Sequence, residues 1–371
     1  MVFMLNKRVR EMNVSGVRKM FELASQMKNP LDLSLGLPDF DVPEEIKKVA
    51  IDSIKKGLNK YTPTTGIKEL RQAIAQKLEK ENNIHSSAEN IIVTSAGSGA
   101  LSIIFTTILN EGDEIILFEP YFVAYKELII QNGGIPVYAK TNEDFSLDLK
   151  DFENKITPKT KAVVVNSPNN PTGGVYSKEE LSKLADICRK HNLLIISDEI
   201  YEKFCYEKKH FSIGSIYPNT ITINGFSKSH AMTGWRIGYC SGPNEIIREA
   251  IKVQQFNFVC APTPFQHAAI KALKIKNKHL NEYKKKRDII YNELKINYEL
   301  IKPEGAFYAF IKYPYNPEKF INNCIKNNLL VVPGTAFSRS NTHFRISFAN
   351  SDETLKKAVE ILNKISKENK K

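Results

Sequence analysis

Five cysteines, Cys188, Cys205, Cys240, Cys260 and Cys324, are scattered along the chain and odd in number. That speaks against a disulfide framework and a zinc site and suits a reducing cytoplasm. The seven histidines show no ligand-like spacing, so no structural metal is expected. No stretch approaches the roughly 18 consecutive apolar residues that span a bilayer. The opening residues, MVFMLNKRVREMN, lack the apolar run and small-residue cleavage site of a signal peptide. Internal repeats and low-complexity linkers are also missing, apart from a tail expected to fray after about Ser366.

Acidic residues are in the minority: 41 Asp and Glu face 53 Lys and Arg, a formal charge of +12. The excess is mostly lysine, dispersed in pairs and triplets such as Lys284–Lys286. No basic stripe is interleaved with aromatics, and no nucleic-acid-binding module is recognisable. The charge reads as a solvated surface, with steering of anionic substrates and phosphate as the alternative, and neither nucleic acid nor membrane is expected as partner.

What is present is alternation. Short β-branched apolar runs, IIVT (91–94), EIILF (114–118), IPVYA (135–139), AVVVNS (162–167), LLIISD (193–198), ITINGF (221–226) and IGYCSG (237–242), are separated by amphipathic stretches such as SKEELSKLADICRKHN. Strands this apolar predict an α/β fold with a mostly parallel sheet between helices. Ligands bind such sheets at the carboxyl ends of the strands. The last hundred residues change character: a long charged helix (about 272–296), alternating segments YELIKPEGAFYAFIKY, LLVVPG and HFRISFAN, and a closing helix from Asp352. At 371 residues the chain suits one large and one smaller domain. The expected division is 44–272 for the large domain and 1–43 with 273–371 for a smaller α+β domain.

Polar residues of interest follow the strand ends. Lys228 lies in NGFSKSHAMTGWRIG among small or uncharged residues, where desolvation would lower its pKa and free its amine as a nucleophile. Arg236, eight residues on, offers a donor fork suited to a phosphate. Asp198 ends LLIISD, and alone it would read as a helix cap. The alternative is a partner for a protonated ring nitrogen, with the Tyr201 hydroxyl close by. NSPNNPTGG (166–174) is a turn by composition, yet its amides, Asn170 among them, sit where a ligand would bind. TSAGSGA (94–100) could bring backbone N–H groups to an anion at a helix N-terminus, although it lacks a Walker lysine.

Nine motifs in order, SLGLPDFDVP, KYTPTTGIKELR, VTSAGSGAL, PYFVAY, NSPNNPTGGVY, ISDEIY, GFSKSHAMTGWRIGY, PEGAFY and FRISFA, give a chain that resembles class I/II aminotransferases from about residue 13 to about 362. These are pyridoxal-phosphate enzymes of the aspartate aminotransferase fold. The resemblance implies that Lys228 holds the cofactor as a Schiff base and shuttles the substrate proton. It implies Asp198 as the ring-nitrogen partner and Tyr201 and Asn170 as ligands of the phenolic oxygen. Ala96, Gly97 and Ser98 match the phosphate loop, helped by Arg236, and Phe122 matches the ring stacker. Arg345 and Gly36 match the residues that receive the substrate α-carboxylate. Tyr61 matches a tyrosine reaching the neighbouring subunit's phosphate, which implies a homodimer with shared active sites.

Three positions depart from the commoner pattern. Gly225 stands where many relatives carry serine, so phosphate anchoring falls more on Ser98, Arg236, Ser227 or a water. Phe122 replaces the frequent tryptophan or tyrosine. The segment GTAFSRSNTHFRIS is short and poor in glycine. The implied reaction moves the amino group of an L-amino acid, aspartate or an aromatic one, to a 2-oxo acid such as 2-oxoglutarate. Arg8, Arg18 and Lys19 are candidates for a second carboxylate against the alternative of a solvated helix face. A lyase of the same fold is the rival reading, and a cofactor-binding regulator is disfavoured because little chain precedes the first motif.

Overall fold

The computed structural model describes residues 4–367. Helices α1 (Lys7–Glu11) and α2 (Gly16–Gln26) precede strand β1 (Leu31–Asp32), and α3 (Glu44–Lys55) and α4 (Lys68–Lys77) follow. Then strands and helices alternate: β2 (Ile91–Thr94), α5 (Ala96–Ile108), β3 (Glu114–Phe118), α6 (Ala124–Gln131), β4 (Ile135–Ala139), α7 (Leu149–Asn154), β5 (Thr160–Asn166), α8 (Lys178–Lys190) and β6 (Leu194–Asp198). Strands β7 (Thr220–Gly225) and β8 (Gly238–Ser241) lead into α9 (Asn244–Asn257), α10 (Thr263–Ala272) and α11 (Leu280–Leu294). The chain closes with β9 (Tyr308–Lys312), α12 (Pro317–Lys326), β10 (Leu329–Leu330), β11 (Val332–Pro333), β12 (His343–Ser347) and α13 (Asp352–Lys367).

Seven strands form one sheet in the order β2-β8-β7-β6-β5-β3-β4. Every neighbouring pair is parallel except those of β8, which runs antiparallel to β2 and β7. The mostly parallel sheet read from the apolar runs is therefore present, and all seven runs are strands. Successive side chains of a strand face opposite sides. Accordingly Ile115 and Leu117 enter a core with α5 and α9, while Ile116 and Phe118 enter a second core with α8. With both faces covered, every position had to be apolar, which explains runs without polar alternation.

A second sheet, β11-β12-β9, is antiparallel, and β1 pairs in parallel with β10. Around them lies a separate core that includes Leu33, Tyr283, Phe320, Phe344 and Leu362, drawn from both ends of the chain. The charged helix expected over about 272–296 is interrupted. Residues 273–279 are not an α-helix, and α11 begins only at Leu280. Local side chains explain the break: Asn277 Oδ1 accepts the amide of His279 at 2.8 Å, and the Ile275 carbonyl faces the His230 ring at 3.3 Å. At the C-terminus α13 still includes Ser366 and Lys367, and the rest of the expected frayed tail, 368–371, lies outside the described residues.

Three parallel strands end side by side. Asn166, the last residue of β5, pairs with Asp198 of β6, and Asp198 pairs with Ile223 of β7, two residues before that strand ends. Two parts of the chain thus meet at one edge: strand termini from the large sheet, and β12 with β9 from the small one.

Candidate active site

Asp198 is held at its strand end, nearly inaccessible. Its Oδ1 accepts the Ile200 amide at 3.2 Å and its Oδ2 accepts the hydroxyl of Tyr125 at 2.7 Å. Asn166 Nδ2 donates to the Asp198 carbonyl at 2.9 Å, and Asn166 Oδ1 accepts the amide of Asn170 at 2.8 Å, so the strand end positions the amide-rich turn. Burial pushes the Asp198 pKa up, opposed by the Tyr125 and Ile200 hydrogen bonds. A cationic neighbour would offset that burial and keep the carboxylate ionised.

Lys228 follows β7 directly. Its Nζ donates to the Gly36 carbonyl at 2.7 Å. Burial first, then the positive charges of Arg345 and Arg236, lower its pKa to about 8, and Asp198 opposes the shift. The amine therefore has a substantial neutral fraction near neutral pH, as a nucleophile or base requires.

The loop after β2 presents a helix N-terminus to the cavity, a geometry suited to an anion. Helix α5 starts at Ala96, and Ser95 at its N-cap makes no side-chain capping bond, so the first-turn amides keep their outward direction free. Arg236 Nη2 donates to Ser98 Oγ at 3.0 Å and Nη1 to the Thr233 carbonyl at 2.9 Å, which fixes the fork beside those amides. Ala96 and Arg236 both have left-handed backbones, φ +63° and +56°, a conformation side chains adopt only where the surroundings enforce it. Gly238 in β8 permits the close crossing: a Cβ there would lie 2.5 Å from the Ala96 carbonyl carbon. Gly225 is similarly confined, since its Cβ would lie 3.0 Å from Gly238 Cα and 3.1 Å from the Ile237 carbonyl oxygen. A serine there would need the backbone to shift.

Arg345 comes from β12. Its Nη1 donates to Asn170 Oδ1 at 2.9 Å and its Nη2 to the Ser34 carbonyl at 2.5 Å, while Nε is buried without a partner. Tyr308 and Phe337 flank the guanidinium, with ring centres 4.4 and 4.7 Å from Cζ. An unpaired donor on a fully buried arginine is costly unless an acceptor arrives. Tyr201 and Tyr308 share a hydroxyl–hydroxyl hydrogen bond of 2.7 Å. Gly36 is forced by this packing, because a Cβ would fall 1.9 Å from the Tyr308 oxygen.

The functional side chains among these groups line one cavity of about 530 Å³, within the size range of small-molecule sites, with Tyr125, Ser34 and Phe337 behind its wall. It gathers Gly36, Ala96, Gly97, Ser98, Phe122, Asn170, Asp198, Tyr201, Ser227, Lys228, Arg236 and Arg345. Tyr61 is not brought in: it lies off the cavity and is 82% exposed. Of the second-carboxylate candidates only Arg18 reaches the cavity. Arg8 is paired with Glu111, and Lys19 points to solvent. The sequence reading missed Tyr125, Tyr308 and the Ser34 carbonyl. Tyr125 and Tyr308 stand inside the quoted PYFVAY and PEGAFY motifs, which is the signal that could have found them.

The donor set fits pyridoxal phosphate: an uncapped helix N-terminus with an arginine for the phosphate, a buried carboxylate for the ring nitrogen, and a lysine amine of lowered pKa. A polar cluster elsewhere, Glu199, Glu202 and His210, brings ligand-type atoms within 4.8 Å of one another. It is already filled by protein donors: Lys77 Nζ lies 2.5 Å from Glu202, and Asn82 Nδ2 reaches Glu202 at 2.9 Å and Glu199 at 3.2 Å.

This constellation at the carboxyl edge of a mostly parallel sheet suits an enzyme that works with a bound cofactor. The pattern described as aminotransferase class I and II matches residues 28–362. Aromatic-amino-acid aminotransferase 2 of Thermococcus litoralis is 37% identical over 99% of both chains. A probable aspartate aminotransferase of Methanocaldococcus jannaschii is 38% identical over 98% of this chain and 100% of its own. Among solved structures, aspartate aminotransferase from Thermus thermophilus with maleate superposes with a TM-score of 0.94 at 38% identity, over 98% of this chain and 100% of that one. The chain belongs to the class I and II aminotransferase family, whose members depend on pyridoxal phosphate. The relatives named are all aminotransferases, which gives the lyase alternative no support.

Proposed function

We propose that this protein transfers the amino group of aspartate or an aromatic L-amino acid to a 2-oxo acid, with 2-oxoglutarate as the usual acceptor. The observation that carries the reading is the Lys228 amine, lowered to about 8, in one cavity with Asp198, the α5 cradle and Arg345. Relatives named for aspartate and for aromatic amino acids support both donor classes.

Pyridoxal phosphate, when bound, supplies the electron sink that lets an amino acid lose its α-proton. Lys228 Nζ holds the cofactor between turnovers and, once released, accepts that proton and returns it on the other side of the transfer. Ala96, Gly97 and Ser98 bind the phosphate through backbone N–H groups and the Ser98 hydroxyl, with Arg236 supplying positive charge and Ser227 a further donor. Asp198 keeps the ring nitrogen protonated. Asn170 and Tyr201 donate to the phenolic oxygen, and Phe122 stacks on the ring. Arg345, already oriented by Asn170 and the Ser34 carbonyl, takes the substrate α-carboxylate, while Gly36 keeps the backbone close to it. In the same reading residues 44–272 form the cofactor-binding domain and 1–43 with 273–371 the smaller one. Tyr61, exposed in one chain, would reach the partner's phosphate in a homodimer, and the protein works in the cytoplasm. Among the described residues no helix is long and apolar enough to cross a membrane.

The test is the absorbance spectrum of the cofactor-loaded protein. Aspartate or tyrosine should bleach the visible band, and 2-oxoglutarate should restore it. A band that persists while ammonia is released would overturn transamination. For the dimer, Lys228→Ala and Tyr61→Phe proteins, each impaired alone, should regain activity when mixed and allowed to exchange subunits. No gain, or a monomer by sedimentation, would refute shared sites.

A further inference from the structure

The cavity carries an imbalance of charge. Four cations line it, Arg18, Lys228, Arg236 and Arg345, against a single acid, Asp198. Phosphate, α-carboxylate and reacting amine account for three of them. Arg18 alone has no task in that scheme.

Its geometry suits one. Arg18 lies on α2, and with Val17 and Phe21 it forms the helix stripe that faces the cavity. Its Nε is 3.3 Å from Glu22 Oε1, and neither Nη group has a partner among the described residues. Both members of that pair are more than half exposed, 63% and 58%. Such a pair contributes little, so exchanging it for a substrate carboxylate costs little. The helix is seated by Val17 and Met20 against Phe310, Val332 and Phe337, and Gly16 abuts Ala336. Phe337 is also the ring beneath Arg345. One aromatic thus supports the mountings of both arginine forks, one buried, the other half-exposed, paired with Glu22 and lying over the Phe21 ring at 5.1 Å. The same cavity is lined by apolar side chains as well, Leu37, Val123 and Ile200 among them.

We infer that Arg18 anchors the distal carboxylate of dicarboxylic substrates, the side-chain carboxylate of aspartate and the far carboxylate of 2-oxoglutarate. This specificity rests on the aminotransferase reading above. Arg345 receives the near carboxylate and Arg18 the far one, and both forks can bind bidentately. Aromatic donors lay their rings on the apolar wall and do not require the second fork. Arg18 therefore sets the preference between the two donor classes, and Glu22 competes with the substrate for it.

The experiment uses single half-reactions of the cofactor-loaded enzyme, followed by absorbance, so that donor and acceptor are separated. In Arg18→Ala the ratio of kcat/KM for aspartate to that for tyrosine should fall about tenfold or more, through KM, as expected for loss of a charge-assisted contact. Arg18→Lys should recover part of the ratio, and Glu22→Gln should raise it. An unchanged ratio, or equal losses for both donors, would overturn the role. Calorimetric binding of succinate against propionate gives an independent readout. Arg18→Ala should lose its preference for the dicarboxylate, and a retained preference would overturn the assignment. Should the wild-type protein transfer no amino group from any donor, the aminotransferase reading falls, and the succinate measurement still decides the role of Arg18.

Discussion

The hydroxyl of Tyr125 donates to Asp198 Oδ2 at 2.7 Å, deep beneath the cavity that holds Lys228. It is one of the two hydrogen bonds that oppose the rise burial imposes on the Asp198 pKa. Tyr125→Phe leaves the ring packing intact but removes the donor. Cofactor affinity is expected to fall about tenfold, as for loss of a hydrogen bond to a buried charge. Equilibrium dialysis of the variant checks this, and wild-type affinity would mean that Asp198 needs no second support.

Lys228 in the cofactor-free protein should titrate near 8, well below an ordinary lysine. The neutral, reactive fraction then rises as pH passes through that value. Arg345→Gln removes one of the two positive charges that depress it, so the midpoint should move upward. Acylation of Lys228 across pH, read by mass spectrometry, follows both effects. An ordinary lysine profile in the wild type would contradict them.

At Gly238 an added Cβ would meet the Ala96 carbonyl carbon at 2.5 Å and the Gly97 nitrogen at 2.7 Å, both backbone atoms that cannot rotate away. Gly238→Ala should push the α5 cradle outward and weaken cofactor binding by about tenfold or more, as expected when charge-assisted contacts to a phosphate are lost. The fold should be largely retained, which circular dichroism would verify alongside the binding assay. Unchanged affinity would show that the loop yields freely.

Acid should act through Glu202. Burial opposes its charge, but Lys77, Lys203, His210 and Asn82 outweigh burial and hold its pKa at about 2, below the reference value of 4.5. A depressed carboxylate stabilises the fold above its unfolded pKa and loses that contribution as pH falls toward the folded one. The window is thus from about 4.5 down to about 2. Lys77→Met, which removes the nearest cation and leaves Glu202 to Lys203 and Asn82, should cost up to about 3 kcal/mol near neutral pH. Urea unfolding between pH 2 and 7 measures both. An acid limb with no difference between wild type and variant would remove this pair from the account.

Much of the architecture was legible because burial on both sheet faces leaves a signal that depends on neighbours along the chain alone. All seven apolar runs became strands for that reason. The site was legible where a motif carries its own chemistry, as at Lys228 and Asp198. Tyr125 and Tyr308 escaped because their partners lie 73 and 107 residues away, and no spacing rule relates them. The break at 273–279 was hidden because two polar contacts of single residues override a helical composition. Arg18 could be proposed from its charge, yet only the cavity distinguishes it from Arg8 and Lys19.

Arg345 reaches the Ser34 carbonyl across 311 positions of sequence, and Leu31 in β1 pairs with Leu329 in β10. Synthesis proceeds from the amino end, so the large sheet can be complete on the ribosome while Ser34 still waits for its partner. The half of the cavity that holds Arg345 assembles only when nearly the whole chain has emerged. A chain that ends before Arg345 therefore lacks the guanidinium that faces Ser34 and Asn170, however much of the large sheet it has formed.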